Sequence, residues 1–187
     1  MSNTIHPSAI INEDVILGDN VYIGPNCTIG FPAEYKEGFG KSVDYTVKIE
    51  DNVVLTGNVT IDAGSRRDTV ISEGSFLMKA AYIAHDVVIG KRSIISAHAC
   101  LGGHVEVGDF VNIGMGAIVH PRQRIGSYTM IGMGTVITKK AKILPGRIYA
   151  GNPSKEIGIN KIGLERNKIN DLKLNKLIND FENNNGN

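Results

Sequence analysis

The chain has 187 residues, with 20 Lys and Arg against 19 Asp and Glu and a formal charge of +1. That balance leaves no electrostatic footprint for a nucleic-acid partner and no acidic or basic tail. With 42% hydrophobic and 21% charged residues the sequence is not disordered as a whole, and 22 Gly with no Trp point to many similar turns around an aliphatic core. The N-terminal MSNTIHPSA carries no charged-then-apolar leader, and no run approaches the ~18 apolar residues of a membrane span. Cys27 and Cys100 make no disulfide framework, which suits a reducing compartment. The expectation is a soluble cytoplasmic protein with no membrane span.

In chain order, the apolar residues fall on a six-residue beat: Ile5, Ile11, Leu17, Ile23, Ile29, then Ile49, Leu55, Ile61. From Ile71 the beat runs unbroken through Leu77, Ile83, Ile89, Ile95, Leu101, Val107, Ile113, Val119, Ile125, Ile131 and Ile137 to Ile143. Gly often follows the anchor, as at Gly18, Gly90 and Gly102. Small or β-branched residues such as Ala81, Val87, Ser93 and Ala99 sit two places before the next one. A period of six fits neither a 3.6-residue helix nor a helix pair. It suits a short strand and a tight turn, three of which make a triangular coil of 18 residues, with coils stacked at roughly 4.8 Å. The predicted fold is an all-β solenoid, a parallel β-helix of hexapeptide repeats over residues 1–153. The spacing alone does not give its hand.

The beat breaks between Ile29 and Ile49 and again between Ile61 and Ile71. Residues that break register must leave the coil, so loops are expected at about 31–48 and 62–70, as candidate binding segments. Arg66 and Arg67 in the second loop can meet a phosphate or simply be solvated. After Ile143, Pro145 and Pro153 end the repeat. Residues 154–187 are expected to form a helical segment, with Ile169, Leu172, Leu177, Ile178 and Phe181 at helical spacing, and a disordered tail. That helix caps the open coil edge or packs on a neighbouring subunit.

Stacking at 18 residues sets Ile83, Leu101 and Val119 above one another. His85, His104 and His120 then fall on one face in three successive coils, within roughly 10 Å along the axis. Three readings stay open. The histidines are a surface coincidence; or His85 is a general base oriented by Asp86; or they bind a metal, with ligands shared between two subunits as in β-helical carbonic anhydrases. Three metal ligands from one chain are disfavoured, because they would have to converge from separate coils.

The stretch LMKAAYIAHDVVIGKRSIISAHACLGGHVEVGDFVNIGMGAIVH resembles the UDP-N-acetylglucosamine O-acyltransferases of lipid A synthesis. The resemblance runs from IHPSAIINEDVILGDNVYIGPNCTIG to GINKIGLER. It implies left-handed coils, a homotrimer with sites between neighbouring subunits, and direct transfer with no acyl-enzyme and no metal. It implies His85 as general base with Asp86 beside it, and Gly103 as the backbone N–H that stabilises the oxyanion. His104 and His120 match positions contacting sugar and donor, Glu34 and Lys36 a pair holding the nucleotide sugar, and Asn160 and Arg166 further ligand contacts. Tyr82 stands where the family usually has a second His, Pro121 where Gln is usual, and Ile162 where an acid is usual. Met133 stands where the family tunes acyl-chain length, and implies a shortened groove. YAGNPSKEIG resembles the exit segment of coenzyme A-dependent hexapeptide acetyltransferases, which adds Gly151 and Lys155 to Met133 in an expected donor groove.

The expected function is acyl transfer, with a short chain, to a hydroxyl or amine of a nucleotide-activated sugar in surface glycan or lipopolysaccharide synthesis. The donor is an acyl thioester, with acyl-CoA or acyl-carrier protein as co-substrate and no permanently bound cofactor. The alternatives are a non-catalytic β-helical scaffold subunit and a β-helical metalloenzyme.

Overall fold

A computed structural model describes residues 2–34, 36 and 44–183. The chain winds as a parallel β-helix whose strands, two to five residues long, fall into three sheets of nine, seven and six strands. Register repeats at 18 residues: Tyr82 and Ile83 pair with Cys100 and Leu101, which pair in turn with Ile118 and Val119. Each anchor points into the prism, and Ile83, Ile89, Ile95 and Leu101 are fully buried. Full burial of one such side chain contributes about 1.5–3 kcal/mol.

The second inward position of each hexad also faces the core, and must be small because the prism is narrow. Ala81, Val87, Ala99 and Val105 fill it without polar atoms. Where Ser93 stands there, its hydroxyl donates to the Gly108 carbonyl (2.9 Å) and accepts the Val111 N–H (3.0 Å), so no polar group is stranded.

Consecutive strands meet at corners whose turns hold one residue in the left-handed region. Asn20, Asn26, Asn52 and Asn58 serve there in the early coils, as expected for a residue that tolerates positive φ. At the corner between the second and third sheets, Asp86, His104 and Arg122 take that position with φ of 62°, 61° and 65°. Both irregular segments leave the coil at this same corner, between Phe31 and Val47 and between Asp62 and Thr69. The first of these, expected at 31–48, lies partly outside the described residues, as does the tail beyond residue 183.

Past Ile143, strand Arg147–Ala150 closes the first sheet, and Lys155–Ile159 folds back on it antiparallel. The C-terminal segment thus opens on a strand before helices α1 (Lys161–Arg166) and α2 (Asp171–Asn183). Leu164 and Leu174 bury against Gly146, where a Cβ would lie 2.6 Å from Leu174 Cδ1. Lys142 Nζ bonds Glu182 Oε1 (2.5 Å), and the Arg124 guanidinium lies 4.7 Å from the Phe181 ring centre, so α2 is tied to the last coils.

Candidate active site

The corner that expels both loops also gathers the densest chemistry. Asp86 is fully buried, and its carboxylate is saturated. Oδ1 accepts the N–H groups of Ser65 (3.0 Å), Arg66 (2.7 Å) and Arg67 (2.8 Å). Oδ2 accepts the Ser65 hydroxyl (2.6 Å) and bonds His85 Nδ1 (2.5 Å). Thr69 Oγ1 accepts the Asp86 N–H (2.9 Å). Burial would raise the Asp86 pKa, but the bonds from His85, Ser65 and the two arginine amides outweigh it and hold the carboxyl well below its ordinary range. Asp86 therefore has two tasks: it moors the second loop over the corner and it holds the His85 ring.

The opposite edge of that ring faces the next coil. A Cβ on Gly103 would lie 2.7 Å from His85 Cε1 and Nε2, so only glycine admits the ring in this position. The Gly103 carbonyl accepts from Arg122 N (2.9 Å), while its N–H donates to no acceptor among the described residues. The His104 ring meets His85 edge-on, centroids 5.1 Å apart at 87°, with Nε2 3.6 Å from Asp86 Oδ2. Burial lowers the His104 pKa; Asp86 opposes this and Arg122 reinforces it. Burial thus favours the neutral His104 ring.

His85, Asp86 and His104 offer donor atoms within 4.8 Å of one another. Donor atoms from two adjacent coils thus converge, because coil spacing is shorter than an imidazole side chain's reach, while His120 of the third coil is not among them. Asp86 Oδ2 already holds a ring nitrogen and a hydroxyl, so a cation would have to displace both.

The other expected residues lie further out. His120 is exposed on the second-sheet side of the corner, with Nδ1 2.9 Å from the Pro121 carbonyl. It borders an apolar groove of about 360 Å³ over Tyr82, Cys100, Ile118 and Val136. Met133 is 77% exposed on the next corner, above Met115. Gly151 accepts from Val136 N (3.0 Å) at one end of the groove, and Lys155 is exposed on the returning strand. Glu34 and Lys36 are exposed, and the loop between Lys36 and Asp44 lies outside the described residues.

Asn160 and Arg166 are not beside His85 in this chain. They line a cleft of about 830 Å³ over the first sheet, with Arg92, Phe110 and Met130. Asn160 Nδ2 donates to the Tyr128 carbonyl (2.8 Å) and its Oδ1 caps α1 by accepting Gly163 N–H (3.1 Å).

Sequence reasoning missed Ser65, Thr69, Arg122 and Asp62. The Asp62 carboxylate accepts the Tyr82 hydroxyl (2.6 Å); burial, with the nearby Glu34 charge, pushes the acid up to about 6 against the lowering effects of Tyr82 and His85. The signal for Asp62 was a carboxylate directly after the buried anchor Ile61; that for Ser65 was its place beside two arginines in the off-beat loop.

A family model described as bacterial transferase hexapeptide (six repeats) matches residues 2–30 and 68–103. UDP-3-O-acylglucosamine N-acyltransferase of Granulibacter bethesdensis is 40% identical over 82 residues, covering 38% of this chain and 23% of that protein. The chain thus spans less than a quarter of the length of the curated relatives it matches. LpxA from Acinetobacter baumannii aligns over 95% of this chain and 80% of its own, at 25% identity and TM-score 0.71. LpxA of Bacteroides fragilis, a UDP-N-acetylglucosamine acyltransferase, aligns over 95% and 69% at 26% identity and TM-score 0.69. The shared architecture is the left-handed parallel β-helix. Over residues 2–30 and 68–103, and in its fold, the chain is similar to the bacterial transferases with hexapeptide repeats.

Proposed function

We propose that the protein is an acyltransferase that moves a short acyl group from a thioester to a hydroxyl or amine of a nucleotide-activated sugar. The observation that carries this reading is the His85 ring, bonded to a buried carboxylate at Nδ1 and set with its Nε2 edge against Gly103. The similarity to acyltransferases of UDP-sugars supports the reaction class.

In this reading the acceptor oxygen or nitrogen attacks the thioester carbonyl while His85 Nε2 takes its proton. Asp86 keeps the Nδ1 proton in place and stabilises the imidazolium that forms. The Gly103 N–H, which has no acceptor among the described residues, donates to the oxyanion as the carbonyl becomes tetrahedral. Collapse breaks the C–S bond, and the imidazolium returns its proton to the departing thiolate. The donor, acyl-CoA or acyl-carrier protein, lies along the apolar second-sheet groove, with Gly151 bonded to its lining residue Val136. The resemblance puts Asn160 and Arg166 at the ligand; as they sit on another face of this chain, in this reading they serve the His85 site of a neighbouring copy in the expected homotrimer.

Thermal shift tests the reading: a nucleotide sugar and a coenzyme A thioester should each raise the melting temperature, and the pair should yield acylated sugar by mass spectrometry. Stabilisation by neither would leave the non-catalytic scaffold reading in its place.

A further inference from the structure

Beside the His85 corner, and opening into it, is a second pocket of about 310 Å³ lined by Arg66, Arg67, His104, Glu106, Arg122 and Arg124. Four guanidinium groups face a single surface carboxylate there. Glu106 is shared between Arg67 Nη1 (2.7 Å) and Arg124 Nε (3.4 Å). Arg67 is further fixed by its Nε, which donates to the Asp86 carbonyl (2.9 Å). Arg66 and Arg122 have no carboxylate partner among the described residues. The buried Asp86 carboxylate adds a second negative charge behind the pocket, engaged by the second loop and His85, so four guanidinium groups still outnumber two carboxylates. Like charges so crowded repel one another unless an anion lies between them.

We propose that Arg66 and Arg122, flanking His104, form a phosphate subsite that holds the diphosphate of the acceptor; the assignment to an acceptor rests on the acyl-transfer reading. Arg66 is pre-positioned, since its own N–H is bonded to Asp86 and its neighbours on both sides are tied to the same carboxylate. Arg122 is placed by its N–H bond to the Gly103 carbonyl. The two arginines and His104 border both this pocket and the one containing His85 and Gly103. An anion held here therefore lies in the space adjoining the base. A diphosphate on the anomeric carbon meets that condition when a ring hydroxyl or amine faces His85. The phosphates of coenzyme A or of a carrier protein do not, because the pantetheine arm separates them from the thioester.

Calorimetric titration with inorganic pyrophosphate tests the subsite without any need for turnover. Wild type should bind it, and Arg66→Ala and Arg122→Ala should each weaken it about tenfold or more, with affinity falling as salt rises. Lys176→Ala, on the exposed side of α2, should leave it unchanged. Nucleoside diphosphates should compete with pyrophosphate, and coenzyme A should not. In turnover, the two arginine variants should raise KM for the nucleotide sugar and leave kcat nearly intact, the pattern of lost uniform binding. No pyrophosphate binding, or equal binding by the variants, overturns the subsite even if acyl transfer is found. Competition by coenzyme A alone overturns the acceptor assignment and gives the anion to the donor.

Discussion

The His85 imidazole fills the space into which any side chain at Gly103 would project, at 2.7 Å from the Cβ position to Cε1 and Nε2. Gly103 is not among the positive-φ residues, so alanine suits its backbone, and the clash is with the ring alone. The ring cannot swing clear without giving up Asp86. Gly103→Ala should therefore lower turnover by about 10²-fold through misplacement of the base, with a melting temperature within a few degrees of wild type. Steady-state kinetics beside a thermal melt separates this from a folding defect, which would depress both.

Asp86→Asn should loosen the second loop. The amide puts a donor where Ser65 and His85 also donate, and leaving such groups unsatisfied costs about 1–3 kcal/mol. Trypsin should cut after Arg66 or Arg67 faster than in wild type. The pH dependence has a definite sign. Asp86 is held below its ordinary 3.8, so its contribution is present above that pH and lost as pH falls below it. The variant should lack that part of the acid destabilisation.

Asp62 has the opposite sign. Its acid is raised from 3.8 to about 6, so the folded state binds its proton more tightly and stability falls as pH rises between those values. Asp62→Asn keeps an acceptor for the Tyr82 hydroxyl and removes the charge. The difference in unfolding free energy between variant and wild type should grow from near zero at pH 4 to at most about 3 kcal/mol above pH 6. A difference that does not change over this range would remove the buried charge from the explanation.

The legible part of the structure was whatever repeats. An anchor every sixth residue fixes which side chains enter the core, and an 18-residue coil fixes which corner each histidine shares. His85, with Asp86 beside it, and His104 are grouped by that stacking, whereas Gly103 entered by resemblance. The off-beat loop could be located but not folded, because its path depends on Asp86 gathering three successive N–H groups from a coil later in the sequence. Arg122 escaped notice because a lone arginine in a turn has no pattern; its role comes from its neighbours in the stack. Asn160 was grouped with the site by resemblance, whereas in this chain it caps α1 on a different face. The strand Lys155–Ile159 was hidden by the prolines that mark the end of the coils.

That displacement of Asn160 and Arg166 leads to a mixing experiment. If sites are shared, His85→Ala and Arg166→Ala copies should complement each other. Co-assembled mixtures should exceed the activity of either parent, since some interfaces then carry both native residues. Activity no higher than the parents' would place the whole site within one copy.

The most direct measurement is the rate of acyl transfer by His85→Ala on the nucleotide sugar and thioester that stabilise the wild type. A fall of about 10²–10⁴-fold in kcat, with the fold and ligand-induced melting shift retained, is the predicted result. Turnover close to wild type would contradict the assignment of His85 as the base.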